Sequence, residues 1–370
     1  MVTYKFRLLP TKAQATAMEK WLEECRMLYN SLIAQRKNSW ECNKKNLSLY
    51  DQINTLPKLK QTYPKLKTVH SQVLQNVCIR VDLAFQSFFR RVKQKQTPGF
   101  PRFKGFGRYD SFCFPDAKEI RNSDSSICLP KIKDVKWIKH REIYGNLKTA
   151  TVKRSHGKWY IYIVTDFTNN KNYEKTGENV GIDVGILSFA TLSDGLKIEN
   201  PRFFEERQKK LAKAQRRLQK SRDSKDKQKI KKHKKVVGKI HEKIASCRHN
   251  FIHQTSNQLL KKYDAICIED INVNSMIKKN WCNKQILDAA WGSFIEILSY
   301  KAECADKKLI KVNPAYTSQT CHKCGTRTLH ELKDRIFNCC NCNISLDRDL
   351  NAAHNIKTLG LQSLSEVRNS

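Results

Sequence analysis

The sequence predicts a multidomain α/β protein: a helical N-terminal segment, a small all-β region, and a C-terminal α/β half carrying a four-cysteine metal clip. Three observations predict it. The apolar period switches along the chain between two and three-to-four. In the C-terminal half, segments follow one another as three strands, helix, strand, helix, strand, helix. Two C-x-x-C pairs, Cys321/Cys324 and Cys339/Cys342, stand 14 residues apart shortly before the last helix. A chain of 370 residues is long enough for two or three domains with substantial cores.

Charge narrows the partner. There are 70 Lys and Arg against 35 Asp and Glu, a formal net charge of +35. Such an excess suits a polyanion, with nucleic acid ahead of a mere solubility surface or a membrane-binding patch. No apolar run reaches the ~18 residues that a membrane span needs. The start, "MVTYKFRLLP", has no long apolar core, so no signal peptide is expected and the predicted location is cytoplasmic, with the nucleoid of a prokaryote. Nine of the 14 cysteines are scattered and read as small core hydrophobes, while five cluster from Cys321 to Cys342. That distribution fits a reducing compartment and a metal site, not a disulfide framework.

Taken in order, residues 3–9 alternate as a strand. Thr11 then caps a helix whose stripe is Ala15, Met18, Leu22, Cys25, Tyr29 and Leu32. A further helix carries Val73, Val77, Val81, Ala84 and Phe88 on one face. "TPGFPRFKGFGRYDSFCFP" is either a loop near nucleic acid or a packed irregular connection. Short strands between 127 and 166 suggest a small barrel or sandwich, to which residues 3–9 can pair back. From 178, three strands turn near Gly185 and at Ser193-Asp194-Gly195. A long polar helical stretch covers 201–260. "DAICIED" is an apolar run typical of a strand buried on both faces. A helix at 285–306, a strand "KLIKVNP" and a last helix "LNAAHNIKTLGL" follow. This is the order of a ribonuclease H-like fold.

Three acids fall at particular places in that order. Asp183 lies within the first strand, Glu269 at the end of the fourth, and Asp349 at the start of the last helix. Neighbouring first and fourth strands with the helix beside them would bring the three together. Converging carboxylates repel and are costly to bury without cations, so two Mg²⁺ or Mn²⁺ ions are the expected partners. Either Asp347 or Asp349 can cap the helix on composition alone. Ala352 and Ala353, however, are small enough for close packing on the sheet, and Asp349 shares their helical face. Asp349 is therefore expected to face the strands and Asp347 to turn aside.

The cysteine spacing predicts one structural zinc held by Cys321, Cys324, Cys339 and Cys342, with Cys340 spare. Lys323, Arg327, Lys333 and Arg335 give this ribbon a basic face. Residues 207–243 hold 17 Lys and Arg against 3 Asp and Glu. With Leu211, Ala214 and Leu218 keeping an apolar face, they read either as a solvated long helix or as a helix pair that lays Lys209, Lys210, Arg216 and Arg217 along a phosphate backbone.

Together, "YKFRLLPTKAQ", "FPRFKG", "DSFCFP", "GIDVG", "CIEDIN", "NPAYTSQTCHKCG" and "DRDLNAAHNI" resemble the TnpB family of insertion-sequence proteins, ancestral to type V CRISPR nucleases. The resemblance runs over nearly the whole chain. One departure is Asn343, where the family often has a glycine after the last cysteine. The resemblance implies a metal-dependent, RNA-guided DNA endonuclease, monomeric on a transposon-derived noncoding guide RNA, which cleaves double-stranded DNA beside a short flanking motif. It maps Asp183, Glu269 and Asp349 onto the catalytic triad of a RuvC nuclease. It implies a wedge-like β domain at 1–10 and 105–172, a helical recognition lobe at 11–104, a RuvC-like domain at 175–314 and 346–370, and the zinc-ribbon insertion at 315–345. Gln75, near a helix start, either reads adenine in the flanking motif or belongs to a polar surface. An unguided RuvC-like nuclease would share the acids but has no need of so large a basic N-terminal region. A non-catalytic regulator of transposition would not need the acids.

Overall fold

The chain divides into two units, Met1–Thr168 and Asn169–Ser370. The computed structural model describes residues 1–167, 173–278, 282–329, 331 and 334–369.

In the N-terminal unit, β1 (Val2–Leu9) buries Tyr4, Phe6 and Leu8 in strict alternation. Helix α1 (Lys12–Asn43) opens with a capping box: the Thr11 hydroxyl accepts the Gln14 amide at 3.3 Å, and the Gln14 side chain accepts the Thr11 amide at 3.0 Å. Helices α2 (Leu49–Thr62) and α3 (Ser71–Lys93) follow. Next come β2 (Ser111–Phe114), β3 (Arg121–Asn122), β4 (Ser126–Leu129), β5 (Lys133–Ile138), β6 (Leu147–Ser155) and β7 (Lys158–Thr165). They form an antiparallel sheet ordered β2-β6-β7-β1-β5-β4-β3. The first strand thus returns across the helical segment, as expected, and pairs with both β7 and β5. Helices and sheet share one core, in which Trp21 of α1 meets Phe112 of β2 edge-on at 5.3 Å. Of the barrel and the sandwich that the short strands suggest, the structure shows neither: the sheet is a single open run. Among the described residues no ladder joins β2 to β3, and β3, two residues long, offers little edge on which to close.

The C-terminal unit holds β8 (Asn179–Val184), β9 (Ser188–Leu192), β10 (Lys197–Glu199), α4 (Phe203–Asp223), α5 (Lys227–Lys262) and β11 (Ala265–Glu269). It continues with α6 (Val273–Lys278), α7 (Asn283–Ala289), α8 (Trp291–Cys304), β12 (Lys308–Val312), β13 (Ile336–Asn338), β14 (Ser345–Asp347) and α9 (Arg348–Asn369). Its main sheet is ordered β10-β9-β8-β11-β12, with β8, β11 and β12 parallel and β9 antiparallel to both its neighbours. Ile266, Cys267 and Ile268 are fully buried: Ile266 and Ile268 share a core with residues of α5 and α8, and Cys267 packs with Ile356 of α9 on the other face. The helix expected at 285–306 is broken: Ala290 takes φ +54 and separates α7 from α8. The polar stretch forms an α4–α5 hairpin whose second helix is capped by Asp226, which accepts the Gln228 and Lys229 amides. No helix among the described residues is long and apolar enough to cross a membrane.

Helix α9 lies close against the sheet because two glycines allow it. A Cβ at Gly181 in β8 would collide with the Ala353 carbonyl oxygen, and one at Gly360 would strike the Cys267 side chain. Ala352, Ala353 and Ile356 complete the buried face of the helix. Gly181→Ala is therefore expected to cost about 1–3 kcal/mol, the usual range for overpacking. Chemical denaturation checks this. A substitution neutral in stability would mean that α9 does not need this close approach.

Candidate active site

Asp183 is the penultimate residue of β8, and Glu269 ends the neighbouring parallel strand β11. Asp349 sits in the first turn of α9, which packs on both strands. Burial pushes the Asp183 carboxyl well above the ordinary carboxylate range, and the Glu269 and Asp349 carboxylates push it further, while Arg348 pulls the other way. Burial also raises Glu269, opposed by the Thr317 hydroxyl, which donates to its Oε1 at 2.5 Å.

Asp347 behaves differently. Its Oδ1 accepts the amides of Asp349 and Leu350 at 2.9 and 3.2 Å, so it is the N-cap of α9, and Lys197 lies 2.6 Å from its Oδ2. Burial alone would raise it, but the lysine and the amides outweigh burial and hold its carboxyl below the usual range. The two aspartates thus divide as their spacing suggested: one caps, and the other stands near the strands.

Hard oxygen donors with mutual repulsion suit a divalent cation, so this donor set fits Mg²⁺ or Mn²⁺. The carboxylates are not drawn as tightly together as the cysteines. Among the described residues, only Cys321, Cys324, Cys339 and Cys342 bring their ligand atoms within 4.8 Å of one another. Their sulfurs lie 3.6 Å apart for Cys321–Cys342 and 3.5 Å for Cys324–Cys339. Zn–S bonds of ~2.3 Å in a tetrahedron place sulfurs ~3.8 Å apart, so the set fits one zinc with no open position. The Asn341 amide donates to the Cys339 sulfur at 3.4 Å, and the Thr326 side chain and backbone hold the Cys324 thiol down to about 5. After each knuckle the backbone turns left-handed, at Gly325 (φ +75) and Asn343 (φ +57). Asparagine tolerates that region, which is why the missing glycine costs little. Cys340 is exposed and stands outside the cluster.

Residues that sequence reasoning passed over couple the two sites. Asn351 and Asn355 are buried one turn apart on α9. The Asn351 amide donates to Thr320 O at 2.8 Å, and its Oδ1 accepts the His322 amide at 3.0 Å. Asn355 donates to Thr317 O and Thr320 O at 2.8 and 2.6 Å. The helix carrying Asp349 therefore also holds the segment that brings Thr317 to Glu269 and begins the clip at Cys321. The available signal was two asparagines at i and i+4 inside a helix, where they are poor helix formers.

Lys209, Lys210, Arg216 and Arg217 lie exposed on α4, Lys209 and Arg216 opposite the buried stripe of Leu211, Ala214 and Leu218 and the other two on its flank. Lys323, Arg327 and Arg335 are exposed on the ribbon, while Lys333 lies outside the described residues. Gln75 is exposed on α3, in the other unit.

Three family profiles match the chain. One is described as "Cas12f1-like, TNB domain" over residues 291–356, and one as "Probable transposase" over 162–280. The third, "Helix-turn-helix domain", covers 1–45, a span that here forms β1 and the single helix α1. A TnpB-like protein of Acanthamoeba polyphaga mimivirus is 23% identical over 97% of this chain and 73% of its own. The "Putative RNA-guided DNA endonuclease InsQ" of Escherichia coli (strain K12) is 32% identical over 96% of this chain and 92% of its own. The chain belongs to the TnpB family. The solved structure of the mini-RNA-guided endonuclease CRISPR-Cas_phi3 aligns with this TnpB protein over 97% of the chain and 92% of its own, with a TM-score of 0.53 and 9% identity, a likeness of fold alone.

Elemental analysis of the TnpB protein purified without chelator is expected to find one zinc per chain. Cys324→Ser should lower that content and the melting temperature, and Cys340→Ser should change neither. Equal zinc loss in both variants would mean that the ligand set is wrong.

Proposed function

We propose that this protein is an RNA-guided DNA endonuclease that hydrolyses phosphodiesters at Asp183, Glu269 and Asp349 in a RuvC-like domain. The observation that carries the reading is the Asp183 carboxyl, raised by burial and by the other two acids on the same end of one sheet. A structural carboxylate is normally paired, as Asp347 is with Lys197. An acid kept unpaired among like charges marks a functional site. The strand order, with its antiparallel second strand and two further parallel strands, supports reading this unit as ribonuclease H-like.

The three carboxylates would hold two Mg²⁺ or Mn²⁺ ions. Such ions, when bound, supply an activated water and charge neutralisation at the reacting phosphate. The rest falls to the chain itself. Thr317 fixes one oxygen of Glu269 and so orients the carboxylate. Asp347, by capping α9, keeps Asp349 in the first turn beside the strands. Lys209, Lys210, Arg216 and Arg217 offer charge to a phosphate backbone without reading bases, which suits a protein whose sequence specificity comes from a paired guide. The net charge of +35 fits two polyanionic partners, a noncoding guide RNA and target DNA, better than one. Gln75 is proposed, on its exposure near a helix start, as a reader of the flanking motif. The name borne by the Escherichia coli relative supports the guided reading over an unguided nuclease.

With the co-purified RNA and Mg²⁺, Asp183→Ala and Asp349→Ala are expected to abolish cleavage while RNA and target binding persist. Asp347→Ala should retain cleavage and lose stability by ~1 kcal/mol, the worth of a cap. Cleavage assays with parallel binding measurements decide it. Wild-type cutting by Asp183→Ala would overturn the site, and equal inactivation by both aspartate variants on α9 would make Asp347 a ligand too.

A further inference from the structure

Between the end of β12 and the first knuckle of the clip, one aromatic side chain is held in an unusual way. Tyr316 takes φ +66, a left-handed conformation that a bulky residue rarely adopts. Its carbonyl accepts the amides of Gln319 and Thr320, each at 3.0 Å, and the Thr320 hydroxyl at 3.0 Å. The backbone is therefore fixed where it is strained, a pattern that clusters at functional sites. The next residue, Thr317, is buried and donates to Glu269. Tyr316 thus stands one residue from a side chain that positions a proposed catalytic acid.

Among the described residues, one cation covers the Tyr316 ring. The Arg327 guanidinium lies 3.6 Å from the ring centroid. Arg327 is held by its Nε donating to Gln319 at 2.9 Å and by a β-bridge between its own backbone and that of Thr320. Even with this cover Tyr316 is 54% exposed as a residue, which leaves room for a second planar group at the ring. A buried stabilising pair would hide the ring; this one presents it. An aromatic face that takes a base, beside a cation whose remaining N–H donors take a phosphate, is the usual platform for single-stranded nucleic acid.

We propose that Tyr316 and Arg327 form a substrate-positioning platform on which one unpaired base of the DNA strand stacks, next to the phosphodiester to be cut. The inference rests on the endonuclease reading above and adds to it the residue that sets the strand's register at the acids. Stacking needs an unpaired base, so the platform engages DNA already opened and is indifferent to duplex. Any base has a π-face, so it fixes position without choosing sequence.

The test uses the full chain with its RNA in the cleavage-silent Asp183→Ala background, so its readout does not depend on nuclease activity. Single-stranded DNA carrying 2-aminopurine at successive positions is titrated in, and fluorescence reports stacking. One position is expected to be quenched. Adding Tyr316→Ala should remove that quench and weaken strand binding about tenfold, the order of one lost base stack. Adding Tyr316→Trp instead should keep the quench. Arg327→Gln should reduce the salt slope of binding by ~0.7, one phosphate contact to a single strand. Zinc content and melting temperature identify variants that fail to fold. Should Tyr316→Ala be one of them, the profile of the protein with Tyr316 intact still decides, because a flat profile overturns the proposal. An unchanged quench in a folded Tyr316→Ala protein, or quenching with an RNA probe and not with DNA, overturns it as well. A quench that follows Tyr316 in a protein that never cleaves DNA would leave the platform standing and refute the endonuclease reading instead.

Discussion

The close approach of α9 to the sheet is the constraint on which the rest of the C-terminal unit depends. The Ala353 carbonyl sits against Gly181, and Gly360 sits against Cys267, so neither glycine has room for a side chain. Helix position follows from those contacts. At that spacing the first turn brings Asp349 near enough to Asp183 to raise its carboxyl. Two turns of the same helix then present Asn351 and Asn355 to the chain between β12 and the clip. One packing contact therefore sets an acid, a hydroxyl on another acid, and the root of a metal knuckle.

Gathering carboxylates works against folding, and the surroundings show how the cost is contained. Asp347 is neutralised by Lys197 and by two backbone amides, so it stabilises the helix start. Among the described residues Asp183 has no hydrogen-bonded lysine or amide, only the Arg348 charge nearby, and Glu269 has the Thr317 hydroxyl. Two aspartates in one unit are driven in opposite directions by their environments, and that divergence supports a structural role for Asp347 and the proposed reactive one for Asp183. The clip contributes differently. Its core, Phe337 with Cys321 and Cys339, is too small to fold unaided, and four thiolates on one zinc would supply the missing stability. A ribbon made rigid in this way is a sound base for a strained, exposed ring such as Tyr316.

Much of this was legible in the sequence, and the reasons are local. Thr11 with Gln14 announces the start of α1, and the alternation of residues 3–9 announces β1. The unbroken apolar run before Glu269 announces a strand buried on both faces. The cysteine spacing names its own ligands, and Ala352 with Ala353 points to the face that turns Asp349 inward. What stayed hidden depends on long-range geometry. Nothing in "LDAAWGS" marks Ala290 as left-handed, since alanine is a strong helix former. The openness of the N-terminal sheet depends on the shortness of β3, which no periodicity reports. Thr317, Asn351 and Asn355 read as ordinary polar residues until the fold shows whom they bond. Tyr316 reads as one aromatic among many until Arg327, eleven positions on, is found over its ring.

On the proposed reading, α9 and the sheet together make a divalent-cation site out of Asp183, Glu269 and Asp349. Mn²⁺ titration followed by electron paramagnetic resonance tests it most directly, because it needs neither guide nor target. The wild-type chain should bind Mn²⁺ that is lost in Asp183→Asn and in Glu269→Gln, and competed away by Mg²⁺. Binding that is absent, or identical in the wild type and both variants, would mean that these three acids hold no cation.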